Sequence, residues 1–172
     1  GETIKFPLDD PALPTTGRRL AFARWLTSGK HPLVARVLVN RIWMHHFGHG
    51  IVPTAGEFGK LGEQPSHPEL LDWLATEFMS NGWSVKSLHR KIMLSYVYQQ
   101  SSRRDPAQDA VDSDNRLLGR MSVRRLEAEA IRDRLLSTAG TLDLAPFGPA
   151  IPVAADDAGQ IIVANDNPRR SV

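Results

Sequence analysis

Residues 34–47 constrain the fold more than any other stretch. At 100° per residue, Val34, Val37, Leu38, Val39, Ile42, Trp43 and Phe47 point nearly all the way round a helix axis. A helix that is apolar on every side needs cover on every side, so this one is expected at the centre of the protein. It starts near Pro32, whose missing N–H would be unsatisfied in a first turn anyway, and stops before Gly48. Its few polar side chains then become informative. Arg36 and Asn40 share one face; Arg41 and His45, spaced i,i+4, share another. Each needs a partner once water is withdrawn, because an unpaired buried charge is costly.

The other elements can be placed around it. A chain of 172 residues fits one ordinary domain and can bury a core without disulfides. A first helix is expected over residues 18–28, with Leu20, Trp25 and Leu26 on its apolar rows and Gly29 ending it. Gly48 to Pro65 holds five glycines and two prolines. At 18 residues it is longer than ordinary connections, so it is either functional or well packed. Ser66-His67-Pro68-Glu69 matches a capping box for a third helix reaching about Asn81, cored by Leu70, Leu71, Leu74 and Phe78, with Gly82 as a left-handed stop. Ser84 caps a fourth to about Tyr98, with Val85, Leu88, Ile92 and Val97 near one side. A polar stretch through Asp114 leads to a fifth, from Ser122 to Ala139, ended by Gly140. Ile151–Asp156 and Gln160–Ala164 flank Asp157-Ala158-Gly159 as a small hairpin. Residues 1–16 read as a Pro-rich linker, 17–150 as the helical domain, and 151–172 as the hairpin and a truncated continuation. The expected fold class is all-α: about five helices around a buried central helix, a long Gly-rich loop and a small C-terminal β-hairpin.

The fifth helix offers a partner for the polar face of the second. Val123, Leu126, Ala130, Ile131 and Leu135 define its apolar arc, Glu127 projects near the middle, and Arg134 follows seven residues on. A Glu127–Arg41 contact shared with His45 is expected. Such a group either orients two helices as a buried ionic network, which is the commoner use, or binds a ligand beside an acid–base histidine.

His45, His46 and His49 form an HHxxH cluster. Imidazoles at i and i+4 can share a metal on a helix. Here no glutamate stands between His45 and His49, and Gly48 and Gly50 place His49 past the helix end. A centre at His45 and His49 would need a distant ligand such as His67, Glu57 or Asp72. Histidines at the negative end of a helix dipole are the simpler account, and no metal is assigned.

Residues 82–104 contain Lys86, Arg90, Lys91, Arg103, Arg104 and His89 but no acid. Helix, turn and basic helix have the outline of a helix-turn-helix. However, Val85, Leu88 and Ile92 need burial close to the Lys86/Arg90 pair, and the formal net charge is only +2. A solvated basic face is favoured over nucleic-acid binding, and another acidic polymer would use the same charges. Of Trp25, Trp43, Trp73 and Trp83, two sit on or beside apolar stripes, so core or boundary packing is the default; Trp73, offset from its stripe, is the best exposed candidate for stacking a sugar.

Several chemistries are excluded within this stretch. It has no cysteine, hence no disulfide, thiol catalysis, Cys-ligated zinc, iron–sulfur cluster or covalent c-type haem. There is no G-x-S-x-G elbow, no Walker loop and no dinucleotide fingerprint. No apolar run is long enough to span a membrane and no charged-then-apolar leader pattern opens the stretch, so neither a span nor a signal peptide is expected within it.

A set of blocks nonetheless resembles a known family. They are Arg18-Arg19-Leu20-Ala21 through Trp25-Leu26, His31-Pro32-Leu33-Val34-Ala35-Arg36-Val37, Val39-Asn40-Arg41-Ile42-Trp43 and His45-His46-Phe47-Gly48. Further on come His67-Pro68-Glu69-Leu70-Leu71-Asp72-Trp73, Leu88-His89-Arg90, Ser95-Tyr96-Val97-Tyr98 and Arg125-Leu126-Glu127-Ala128-Glu129. Over residues 15–150 the chain is similar to the planctomycete-type PSD-one family, also called domain of unknown function 1553. The resemblance implies large exported bacterial proteins, periplasmic or extracellular, many with a cytochrome-c-like domain and some with carbohydrate-binding modules. A c-type haem would then sit in a neighbouring domain and no cofactor in this chain. The family offers no catalytic residue to carry over. Polar positions that match are Asn40, Arg41, His45, His46, His67, Glu69, His89, Glu127, Glu129 and Asp133, whereas His49 stands where arginine is common.

The function expected is therefore a non-catalytic scaffold or docking domain for a haem-bearing partner. A polysaccharide-acting enzyme with Arg41, His45 and Glu127 beneath the 48–65 loop is the second reading. An acidic-polymer binder using Lys86, Arg90 and Lys91 is the third. Asn40, Arg41, His46, Trp73, Lys86 and Arg90 are the candidate binding residues.

Overall fold

The computed structural model describes residues 16–145, 147–148, 150, 152–163 and 167–171. The expected linker, apart from Thr16, lies outside them, as do Ile151 and Ala164 at the ends of the expected hairpin. The chain divides into two compact units, Gly1–Val123 and Arg124–Val172.

In the first unit α1 (Arg18–Leu26) is followed by α2 (Val34–Phe47), α3 (Pro68–Ser80), α4 (Val85–Met93), α5 (Tyr96–Gln99) and α6 (Pro106–Val111). α1 stops short of Ser28 because the hydroxyls of Thr27 and Ser28 turn back to the carbonyls of Ala23 (3.0 Å) and Trp25 (2.7 Å). α2 begins at Val34 rather than Pro32. His31 Nδ1 accepts from the N–H groups of Leu33 (3.1 Å) and Val34 (3.2 Å), meeting the need of two leading donors. Gly48, at φ 89°, ends the helix.

α2 is not enclosed all round, contrary to its composition. Ala35, Val39, Asn40, Ile42, Trp43 and Phe47 are buried, while Leu38, Arg41 and His45 are exposed. The reason is that α3 covers one broad face. The core joins Val39, Trp43 and Phe47 to Leu71, Leu74 and Phe78 of α3, Leu88 and Ile92 of α4, and Leu118. Each such side chain contributes about 1.5–3 kcal/mol on burial.

The capping box at Ser66 does not form. His67 stands at the N-cap of α3 without a side-chain cap bond, and Pro68 takes the first position. The Ser66 hydroxyl instead reaches Ile51 O (3.3 Å) and His67 Nδ1 (2.9 Å), while its N–H bonds Ile51 O (2.9 Å). Ser84 does cap α4, accepting from Ser87 N–H at 3.3 Å. That helix ends early because Ser95 both donates to Ile92 O (2.6 Å) and accepts from Tyr98 N–H (3.3 Å), starting the separate turn α5. Asp105 caps α6 through Ala107 N–H at 2.9 Å, with Pro106 at the first position. Seven helices among the described residues thus replace the expected five.

The second unit contains α7 (Ala128–Thr138), β1 (Val153–Ala155) and β2 (Ile161–Val163). The strands pair antiparallel, Ala154 opposite Ile162, around a turn in which Asp156 Oδ1 accepts from Ala158 N–H (3.0 Å) and Gln160 N–H (2.8 Å). A polar hub ties the ends together. Arg132 donates to Arg169 O (2.9 Å), Ser171 Oγ (3.0 Å) and Asn167 O, while Asp133 Oδ1 accepts from Ser171 N–H at 2.9 Å. No described residue of this unit is buried. α7 is shorter than expected, and Glu127 is its N-cap rather than a mid-helix residue.

Candidate functional site

Most of the interior polar side chains of the first unit are engaged by the fold, His49 Nε2 being the exception among the described residues. Asn40, fully buried, clamps the long loop: its Nδ2 donates to Val52 O (3.0 Å) and its Oδ1 accepts from Val52 N–H (2.9 Å). This draws Ile51 and Val52 into the core, so the loop is packed. Gly50 is required beside the clamp, since a Cβ there would lie 2.5 Å from Val52 O and 2.6 Å from Asn40 Nδ2. His46 Nε2 meets His89 Nδ1 at 2.7 Å, joining α2 to α4, and the Tyr98 ring packs edge-on at 5.4 Å. One imidazole must donate and the other accept. Buried Asn115, at φ 55°, holds residues 120–122 by donating to Arg120 O (2.7 Å) and Ser122 Oγ (3.2 Å).

The residues expected to form a buried ionic network, or alternatively a ligand site, do not belong to this interior. Arg41, His45 and Glu127 are all exposed, so the premise that they are withdrawn from water does not hold. Arg41 and His45 belong to the first unit and Glu127 to the second. A cavity of about 310 Å³ runs along the long loop, lined by His49, Pro53, Glu63, Ser66, Asp114 and Arg116. Neither Arg41 nor His45 lines it. His49 Nε2 is buried with no hydrogen-bond partner, while Arg116 faces Glu63 at 3.7 Å. His45, His49 and His67 do not gather. Among the described residues no three histidines or carboxylates are placed to hold a metal ion.

Other candidates resolve into struts or surface. Asp72 pairs with Arg36 at 2.6 Å between α3 and α2. The guanidinium holds the Asp72 carboxyl below its usual range, and the same bond raises Arg36. Lys91 is engaged by Glu77, whose carboxyl is lowered by the bonds from Lys91 and Asn81. Glu57 closes its own turn on Gly59 N–H (2.7 Å). Trp43 stacks on Phe47 in the core at 4.2 Å, and Trp83 meets Phe78 edge-on at 5.3 Å. Trp25 is half-buried with its ring edge-on to His31 at 4.4 Å. Trp73 is 55% exposed.

Lys86 and Arg90 stand on the open side of α4, beside exposed Val85 and Met93 and just before exposed Leu94 and Tyr96. The last three are absent from the sequence expectation because it continues the fourth helix to Tyr98. The available signal is Ser95, a capping residue type set directly after an apolar pair. In the second unit a cavity of about 690 Å³ lies between α7 and the strands, with Arg132, Arg169, Ile161 and Val163 on its walls.

These features define a mostly helical fold in which Asn40, His46, His89 and Asn115 are bonded inside while Arg41, Lys86 and Arg90 are exposed. The sequence profile of PSD1, a protein of unknown function (DUF1553), matches residues 18–172, and the chain belongs to that family. No curated protein and no solved structure matches it. Among the described residues no helix is long and apolar enough to cross a membrane.

Proposed function

We propose that this chain is a non-catalytic docking module of a larger exported protein, serving a haem-bearing neighbouring domain and holding no cofactor itself. The observation that carries the reading is the division of its polar groups. Asn40, His46, His89 and Asn115 are engaged inside the fold, whereas Arg41, His45, Lys86 and Arg90 are exposed. Large apolar side chains remain open beside the cations, which is the composition of a protein-binding surface. The haem partner and the periplasmic or extracellular location rest on the family resemblance alone.

The test mixes the purified chain with the haem-bearing domain of the same polypeptide and follows both by size-exclusion chromatography. The expected result is a single peak that carries the haem absorbance. Separate elution, or turnover of a polysaccharide by the chain alone, overturns the reading.

A further inference from the structure

On α4, Val85, His89, Met93, Lys86 and Arg90 fall in one arc of about 140° at 3.6 residues per turn. Leu88 and Ile92, which border the arc on the Val85 side, are fixed in the core. Within the arc His89 is held by His46, and on the inner flank Lys91 is held by Glu77. Beyond the helix end Leu94 is 67% and Tyr96 84% exposed. Tyr98, in the same turn as Tyr96, is anchored edge-on to Phe47 at 5.9 Å. The exposed row is therefore presented by a rigid support.

We propose that this outward face of α4, continued by Leu94 and Tyr96, receives an acidic, partly apolar segment of a partner protein. The inference rests on the docking reading above and names its surface. Charge selects the occupant, because among the described residues no carboxylate pairs with Lys86 or Arg90, whereas Lys91 on the same helix is taken by Glu77. The apolar neighbours select against a purely ionic polymer, which gains nothing from Met93, Leu94 or Tyr96. A bilayer takes up a helix whose apolar face is free to enter it, whereas Leu88 and Ile92 of α4 are already committed to the core. A symmetric second copy would bring two sets of Lys86 and Arg90 into one interface and add no carboxylate from this face to offset them.

The probe is a synthetic helical peptide with one row of glutamates and one of leucines, titrated into the full chain by calorimetry. Poly-L-glutamate, dextran sulfate and anionic phospholipid vesicles are run alongside. Lys86→Glu with Arg90→Glu is expected to weaken peptide binding at least ~tenfold, and Met93→Ser with Tyr96→Ser to weaken it by a similar factor. All four side chains are exposed, and circular dichroism checks that the helices persist. The proposal is overturned if either pair of changes leaves the peptide affinity untouched. It is equally overturned if dextran sulfate or the vesicles bind the unchanged chain more tightly than the peptide. Repeating the chromatography with the same variants separates the two readings. A haem-domain complex that survives both variants keeps the docking role and removes this surface. Peptide binding at this face without any haem-domain complex keeps the surface and removes that partner.

Discussion

The two units are built on different principles, although both contain a helix with an apolar arc. In the first, α2, α3 and α4 meet with the buried loop residues Ile51 and Val52. In the second, Ile131, Leu135, Val153, Ile161 and Ile162 all stay exposed, and the structure is tied by Arg132 and Asp133. An apolar stripe becomes a core only where a second layer covers it. The first unit therefore depends on depth, the second on directional polar bonds.

That contrast can be broken most directly at its ends. Phe47, 1% exposed and stacked on Trp43, should lose about 3–5 kcal/mol of unfolding free energy as Phe47→Ala in urea titration. Leu135→Ala, at a position 67% exposed, should change stability by no more than about 0.5 kcal/mol. Similar losses at both positions would erase the distinction. Next, Gly50→Ala forces a methyl group onto Asn40 and Val52, and about 1–3 kcal/mol should be lost in the same titration. Added to Asn40→Ala its effect should be less than additive, since both changes dissolve one clamp. Additive losses would show that the loop is held by something else.

Arg132→Ala sharpens the other side of the comparison. Removing charge-assisted bonds worth about 1.5 kcal/mol should speed amide hydrogen exchange over residues 167–171 by about tenfold. Exchange in α2 and α3 should not move, and an unaltered rate at Ser171 would contradict the hub. The smallest effect is in acid. Asp72 and Glu77 are held below their ordinary values of 3.8 and 4.5 by Arg36 and Lys91. Their contribution is complete above those values and is lost as pH falls through the lower folded ones. Thermal unfolding followed from about pH 5 to about pH 2 should show a modest fall in Tm, reduced in Lys91→Met. Because the Arg36–Asp72 pair is partly exposed and Glu77 is solvent-accessible, a large fall would require another source.

How much was legible depended on the range of the interactions. α3 and the start of α4 follow from local signals, the Leu71/Leu74/Phe78 spacing and the Ser84 cap. The need of Asn40 for a partner could be read from its apolar neighbours, but not that the partner was the backbone of Val52. The His46–His89 bond joins residues 43 positions apart, a distance no local pattern reports. Glu127 was misplaced because residues 122–127 carry no local helix stop. What holds residues 120–122, just before it, is remote: the amide of Asn115 and a bond from Met121 N–H to Ser101 O at 3.0 Å. Likewise the uniform hydrophobicity of α2 overstated its enclosure, since composition does not say how many layers arrive to cover a helix.

The Asn40 clamp also divides the long loop by its tolerance of added length. Residues 50–53 are indexed to the core, Val52 through both backbone groups and Ile51 through Ser66. One extra residue there would shift both side chains out of register with their pockets. Lys60 and Leu61, the latter 90% exposed, form the outward tip of a turn closed by Gly62 N–H on Gly59 O at 3.1 Å. A tag or fluorophore graft belongs at that tip, where the chain can lengthen outward without disturbing what the clamp has fixed.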